Sequence, residues 1–286
     1  MKQDINMYIL TSIKVFRASI VWKFYLILSI VCLFNCHVAY SFGWKGELKN
    51  GKEISNGDLR KILQNHKIWL KSKGKLGTQA DFSGAQIQHV NLKFAELDNA
   101  IFSNAVLDGA DFSRANLKYA NFNNASLIRA KFNNAIMYSA TFKNADLYHA
   151  RLKRAKLKNG KMGWANLEKA DLREAGLTNV DFHKCRLVQT NMTWAVMRNS
   201  NLSGSDLSGA VILSVRMNDA DFSDANLENA IFEPLELPLI DKIANSRGLE
   251  FIKFRFTPDP IINLQKAFKE EGFDKQAVLL QKALDN

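Results

Sequence analysis

Residues 105–124 read Ala105-Val106-Leu107-Asp108-Gly109, Ala110-Asp111-Phe112-Ser113-Arg114, Ala115-Asn116-Leu117-Lys118-Tyr119 and Ala120-Asn121-Phe122-Asn123-Asn124. Each block of five opens on a small residue and carries a large apolar one in third place. The pattern extends far in both directions. From Phe82 to Phe232 every fifth residue is Phe, Leu, Met or Ile, 31 times in succession without an insertion. Two residues before each of these the chain is small, with Ala at 23 of the 31 positions. A helix repeats every 3.6 residues and a flat strand every 2.0, so neither explains a period of five. A chain that turns inward once per five residues winds as a solenoid.

The identity of the large residues sets the number of sides. All 9 of the Phe among them fall on alternate five-residue units. Phe82, Phe102, Phe122 and Phe142 share one series at 20-residue spacing, and Phe112, Phe132 and Phe232 share another. This ten-residue alternation demands an even number of sides, and two sides cannot enclose a core. Four sides, hence 20 residues per coil, are expected. Nearly eight coils at about 4.8 Å each give a rod about 35–40 Å long.

The unit A-(D/N)-(L/F)-x-x, as in Ala110–Arg114 and Ala225–Asn229, resembles that of the pentapeptide repeat family over residues 80–234. The resemblance implies an all-β solenoid, a right-handed quadrilateral β-helix with one pentapeptide per side. It also implies a bacterial protein without catalytic chemistry. The run His66-x-x-Trp69-Leu70-x-Ser72-x-Gly74-x-x-Gly77-x-x-Ala80 resembles the lead-in helix of many members.

In 286 residues, 47% hydrophobic and 23% charged content excludes a mainly disordered chain, and 3 Cys exclude a disulfide scaffold. The net charge of +11 raises nucleic acid as a partner, but its location argues otherwise. Residues 1–79 hold 13 basic and 4 acidic residues, residues 80–234 hold 18 and 16, and the remainder is balanced. The rod itself is therefore nearly neutral.

Exposed strand edges at both ends of the solenoid call for α-helical caps. Ser55-Asn56-Gly57-Asp58 reads as a capping box opening a helix whose apolar face carries Leu59, Ile62, Leu63, His66, Trp69 and Leu70. After Pro234 and Pro238, a short helix is expected near 239–246, an extended run over Leu249–Phe254, and two helices from Asp259 and Asp274. At the other end, Lys2, Lys14, Arg17 and Lys23 precede an apolar stretch within residues 24–40, and Ala39-Tyr40-Ser41 fits a cleavage site. The organisation expected is a signal peptide or membrane anchor over 1–41, a linker and cap helix over 42–79, the repeat over 80–234 and a helical cap over 235–286. Such a leader places the protein in the periplasm or cell envelope, or at the inner membrane through residues 24–40.

No metal cluster, nucleophile–base pair or phosphate-binding glycine motif is expected, and therefore no cofactor. His66 reads as a packed histidine and Cys185 as a buried thiol. The one concentration of charge is Arg151, Lys153, Arg154, Lys156, Lys158 and Lys161. Adding 20 to each number sets Arg151 on Asp171, Arg154 on Glu174 and Lys161 on Asp181, which makes half of the band inter-coil ion pairs; Lys153, beside Arg173, stays unpaired. In coils 180–217, Val180, Cys185, Thr190, Ser200, Ser205 and Val215 replace Ala, and Met fills three central slots. Softer packing and an outward Trp194 there would allow a bend or a partner contact, but plain tolerance of small residues is the explanation expected. These features point to a non-enzymatic scaffold or protein-interaction module whose partner is an unknown protein. The alternatives are binding of anionic membrane or nucleic acid through the basic residues, or a DNA-mimic contact with gyrase of the kind that acidic relatives make.

Overall fold

The computed structural model describes residues 44–285; the leader reading of residues 1–41 lies outside them. Parallel bridges join Asp81 to Ile101, Gln86 to Val106, Asn91 to Asp111 and Glu96 to Asn116, and the same 20-residue step recurs up to Asp206 and Asn226. Four bridges per 20 residues define four sides. On each side the pairing is brief. Phe122 donates its N–H to the Thr141 carbonyl at 2.7 Å, and Thr141 donates back to Ala120 at 3.0 Å. A turn then closes from Ala125 N–H to the Phe122 carbonyl at 3.1 Å. Only Val211–Leu213 (β3) and Ile231–Glu233 (β4) extend to three-residue strands within this ladder.

All 31 large central residues and their small partners are buried. Phe102, Phe122 and Phe142 stack nearly parallel, with centroids 4.7 and 4.8 Å apart. Phe112 and Phe132 form a second stack at 4.9 Å, and the two stacks meet edge to face at 86–89°. Both geometries suit the aromatic quadrupole. The alternation of Phe in the sequence thus becomes two interlocked columns.

The second and fifth positions of the unit are set by the turn. Asp111 accepts the N–H of Ser113 at 3.0 Å, and Asn121 that of Asn123 at 3.0 Å, as short Asx turns. The same bond recurs at Asp146, Asn166, Asp171 and Asp221. The fifth residue of most units then has φ near +60°, including Arg154 and Trp194. Asn and Gly are frequent there because they tolerate this left-handed backbone most easily.

The coils over 180–217 keep the 20-residue ladder and accommodate their small residues. Cys185 Sγ donates to the Met162 carbonyl at 2.9 Å, Thr190 Oγ1 to Leu167 at 3.0 Å and Ser200 Oγ to Leu177 at 2.8 Å. Each uses a free lone pair of a carbonyl 23 residues earlier, so a polar group sits in the core without an unmet bond. Met in central slots and Thr, Ser or Cys in Ala slots change the filling and leave the ladder in register. Burial pushes the Cys185 thiol up to about 12. In a Cys32→Ser, Cys36→Ser background, native protein is expected to resist iodoacetamide at pH 8 and to react once unfolded. Rapid labelling of the native form would contradict this burial.

The N-terminal flank begins with an antiparallel hairpin that the sequence does not announce, Lys45–Glu47 (β1) with Glu53–Ser55 (β2). Glu47 exchanges two backbone hydrogen bonds with Gln86, at 2.8 and 2.7 Å, and so covers an edge of the first coil. Helix α1 (Asn56–Lys71) follows with the expected capping box between Ser55 and Asp58. The run from His66 to Ala80 is tied together by local contacts. Ala80 N–H donates to His66 Nδ1 at 3.0 Å, and the imidazole stacks on Trp69 with centroids 5.6 Å apart. Ser72 Oγ donates toward the Leu76 carbonyl and accepts from Leu76 N–H, both at 2.9 Å. Gly74, at φ +83°, returns its N–H to Trp69 at 2.8 Å. At Gly77, φ +75°, an added Cβ would lie 2.4 Å from the Asn65 carbonyl oxygen.

Burial lowers the pKa of His66 below its usual 6.5. The unfolded chain therefore binds more protons than the folded one as pH falls beneath about 6.5. This contribution to stability is complete above that pH and is lost below it. Melting temperature is expected to drop between pH 6.5 and 5. His66→Gln, whose amide oxygen can still accept from Ala80, should flatten that slope; an unchanged slope in the variant would contradict the assignment.

Past β4 the ladder continues with insertions. Arg216 pairs with Glu236, Asn226 with Arg247 and Ile231 with Lys253, which are steps of 20, 21 and 22. Helix α2 (Ile240–Ile243) takes up the slack. The run from Leu249 is not extended throughout: Leu249–Phe251 is a 3-10 turn, and Lys253 alone rejoins the ladder. Gly248 forces this path. Its φ is +76°, and an added Cβ would meet the Glu228 backbone nitrogen at 2.6 Å. Helices α3 (Asp259–Glu270) and α4 (Asp274–Asp285) start where expected and bury Ile261, Leu264, Phe268 and Leu280 in the common core.

Candidate functional site

The core is filled with apolar side chains, so recognition falls to the exterior. There, residues 20 apart form columns about 4.8 Å per step. The basic residues singled out above do not form one band. Arg151, Lys153 and Arg154 lie on the side that carries Asp111, Lys131 and Asp171; Lys156 and Lys158 belong to the next side, with Ile136 and Gly176; Lys161 is on the following one, with Thr141 and Asp181. The winding that gives each side five residues spreads an eleven-residue charge run over three sides.

Two of the expected ion pairs are absent. Asp171 is bound by Arg173 instead of Arg151, with Nε at 2.8 Å and Nη2 at 2.7 Å. Asp181 is held by His183 Nδ1, at 2.8 and 2.9 Å, instead of Lys161. The reason is local. The Asx turn brings the residue two places on against the same carboxylate, so it captures that carboxylate before a side chain one coil away does. The third expected pair is present, Arg154 Nε to Glu174 Oε2 at 2.5 Å. Lys153, expected to be unpaired, joins Glu174 diagonally at 3.1 Å. Among the described residues, Arg151, Lys156, Lys158 and Lys161 have no acidic partner within 4.0 Å.

Arg151, Lys153 and Arg154 border an open cleft of about 540 Å³ together with Asn133, Asn134, Asp171 and Arg173. Burial opposes ionisation of Asp171, but Arg173 overcomes it and holds the carboxyl below its usual range. Arg154 and then Lys153 lower Glu174 in the same way. Both acids therefore stay ionised and tie down two cations, while Arg151 and the outer faces of the guanidiniums remain available.

Trp194, 60% exposed, points outward as expected. It stands in the same corner column as Arg154 and Glu174, which the linear separation of 40 residues conceals. The column continues to Phe94, 46% exposed, whose ring lies 5.5 Å from the Arg114 guanidinium carbon. Phe94 and Arg114 went unnoticed in the sequence, although subtracting multiples of 20 from Arg154 and Trp194 would have aligned them. On another corner Trp164 is 51% exposed beneath Lys184 Nζ, 4.5 Å from the ring centroid. Among the described residues no three His, Cys, Asp or Glu side chains gather as a metal site, and no helix is long and apolar enough to cross a membrane.

Comparison with known proteins agrees with this geometry. The model of "Pentapeptide repeats" matches in eight overlapping copies spanning residues 78–233. Solved structures include QnrB1, a plasmid-mediated fluoroquinolone resistance protein, at 21% identity over 54% of this chain and 77% of that one, TM-score 0.49. HetL, from the cyanobacterium Nostoc sp. strain PCC 7120 and involved in heterocyst differentiation regulation, matches at 23% identity over 63% and 87%, TM-score 0.31. Rfr23 from the cyanobacterium Cyanothece 51142 matches at 24% over 34% and 64%, TM-score 0.30. A comparison with curated proteins finds no match. A five-residue period, four bridges per coil and a family match over more than half of the residues lead to one assignment: the chain belongs to the pentapeptide repeat family.

Proposed function

We propose that this protein is a non-enzymatic scaffold that binds a protein partner through the outside of its coil. The corner column Phe94–Arg114–Asn134–Arg154–Glu174–Trp194 carries the reading. Exposed aromatic and arginine side chains, the types that dominate interface energetics, stand in line on a rigid backbone. The cleft of Arg151, Lys153 and Arg154 adjoins this column and supplies polar contacts beside it. In this reading residues 1–41 export the chain or anchor it at the envelope, as their charge and hydropathy pattern suggests. Residues 42–79 and 235–286 cap the two ends of a right-handed, four-sided coil over 80–234, the hand favoured for parallel crossovers. The Glu47–Gln86 pairing and the irregular last coil support capping, since both occupy edges open to another chain.

The test is affinity capture with a tagged full-length chain, compared with a Phe94→Ala, Arg154→Ala, Trp194→Ala variant. These side chains are exposed, so the melt should stay within about 1 kcal/mol of wild type. Loss of the captured partner with an unchanged melt is expected. Equal capture by both would overturn the column as the interface. Fractionation with N-terminal sequencing tests the location, and cytosolic recovery with residues 1–41 intact would overturn export.

A further inference from the structure

A second basic cleft lies on a different corner and shares only Arg151 with the first. It measures about 390 Å³ and is lined by His89, Gly109, Arg129, Lys131, His149 and Arg151. Four of these, His89, Gly109, Arg129 and His149, form one corner column at 20-residue spacing. Lys131 and Arg151 stand beside them on the adjoining side, themselves successive rungs joined by a bridge. Every side chain in the lining is a cation or an imidazole.

Several cations of the rod are met by acids about one coil away or two residues away, as at Arg154–Glu174, Arg173–Asp171 and Arg186–Glu168. In this cleft only Lys131 has an acid, Asp111 at 3.7 Å, which Lys93 shares at 3.3 Å. Among the described residues neither Arg129 nor Arg151 has an acidic partner within 4.0 Å. Asp171, the rung after Arg151, is already held bidentately by Arg173. Two guanidiniums one coil apart therefore converge without a counter-charge.

Gly109 gives the cleft its shape. Its φ of +67° is one that Asn adopts at many equivalent positions, so the backbone does not by itself demand glycine. The space does. An added Cβ would lie 2.4 Å from His89 Nδ1 and 2.7 Å from its Cε1. The missing side chain lets the His89 ring lie down along the column toward Arg129. On the far side His149 packs edge to face on Tyr148, centroids 4.5 Å apart, which fixes its ring.

We propose that this cleft binds a phosphoryl group, with Arg129 and Arg151 as a two-sided guanidinium clamp and His89, His149 and Lys131 as further donors. Guanidinium forks match the oxygens of a tetrahedral dianion, and convergent forks give this class its orientation. The cleft is too small and too local to track a polymer, which favours a single phosphoryl group, free in solution or carried by a lipid headgroup.

The test uses the full-length chain with its histidine ring carbons labelled, followed by NMR. Inorganic phosphate is one probe; vesicles of phosphatidylcholine with and without phosphatidic acid are the other. Saturable shifts of His89 and His149 are expected, while His66, buried beneath α1, and His183, held by Asp181, stay fixed. A response to inorganic phosphate assigns a soluble source, and a response confined to phosphatidic acid vesicles assigns a lipid. Arg129→Gln with Arg151→Gln should weaken binding roughly ten-fold or more, and both sites are exposed so the fold is kept. Gly109→Asn, which returns a side chain to the space occupied by His89, should weaken it too. Either of two results overturns the proposal: no saturable shift with any probe, or equal binding by the arginine variant. A response to DNA with none to phosphate or phosphatidic acid would overturn it as well, in favour of a groove that tracks a nucleic-acid backbone.

Discussion

Phe122→Ala should cost about 3–5 kcal/mol, the range for emptying a buried aromatic site. Phe122 is fully buried and meets four other rings of the bore. Phe102 lies 4.7 Å below it at an interplanar angle of 3°, and Phe142 lies 4.8 Å above at 5°. Phe112 and Phe132 press against its faces and edges from the opposite side, at 5.5 and 5.7 Å. Alanine would leave a void in the middle of four rings that cannot close. Each ring is tied to a backbone fixed by hydrogen bonds to the coils on both sides, such as Phe122 N–H to Thr141 above and Asn121 N–H to Ala100 below. Phe142→Leu is the control. The rung above Phe142 is already Met162, so ring contacts are lost only with Phe122 and Phe132 and the volume changes little; a cost under about 1.5 kcal/mol is expected. Denaturant melts of both variants decide the matter. Because coils contact only their neighbours, Phe122→Ala should also split the transition, with the coils below and above it unfolding apart. A Phe122→Ala midpoint within about 1 kcal/mol of wild type would show that the stacks do not hold the rod.

Gly77→Ala should release α1 from the first coil. The left-handed backbone at φ +75° alone costs an alanine about 1–2 kcal/mol. The added Cβ would also press within 2.4 Å of the Asn65 carbonyl oxygen and 2.8 Å of the Trp69 nitrogen, and neither backbone atom can rotate away. Helix α1 must move. That movement breaks the bond from Ala80 N–H to His66 Nδ1 and leaves both groups buried without partners, a further cost of about 1–3 kcal/mol. Limited proteolysis should then cut between residues 72 and 79 in the variant and spare the wild type. Gly84→Asn is the matched control. Its φ is +64°, only the flexible Lys49 side chain approaches, and Asn holds the same place at 104, 124 and 144. It should change stability by less than about 0.5 kcal/mol. Protection of the 72–79 segment in Gly77→Ala would refute the docking role of this glycine.

The pH dependence at His66 and the unreactive thiol of Cys185 are smaller effects of the same principle. At both positions a backbone atom of another segment meets the buried polar group. Ala80 N–H meets His66, and the Met162 carbonyl meets Cys185. The polar substitutions at Thr190 and Ser200 look like loosened packing when read as departures from Ala, yet each completes a hydrogen bond to a carbonyl 23 residues before it. Composition alone cannot reveal that, because the acceptor belongs to another coil.

The terminal segments divide in the same way. Ser55 and Asp58 lie three residues apart and announce their capping box, and the helices from Asp259 and Asp274 begin at local signals. The β1–β2 hairpin escapes notice because its strands have three residues each and its purpose is to meet Gln86, a distant residue. The extended reading of Leu249–Phe254 fails because the Glu228 backbone passes beside Gly248 and turns the chain.

What the sequence by itself determined is the inside of the rod. A five-residue period with alternating Phe dictates side number, coil length and the occupant of every core slot, because inward residues meet neighbours at a fixed separation of 20. The exterior was decided only by the tertiary structure. There the carboxylates of Asp171 and Asp181 choose between a side chain two residues on and one a coil away, and the Asx turn gives the choice to Arg173 and His183. That choice leaves Arg151 unpaired between two clefts and aligns Arg154 with Trp194. Core positions have one possible neighbour, whereas flexible surface charges have several at nearly equal energy, and only the folded backbone selects among them.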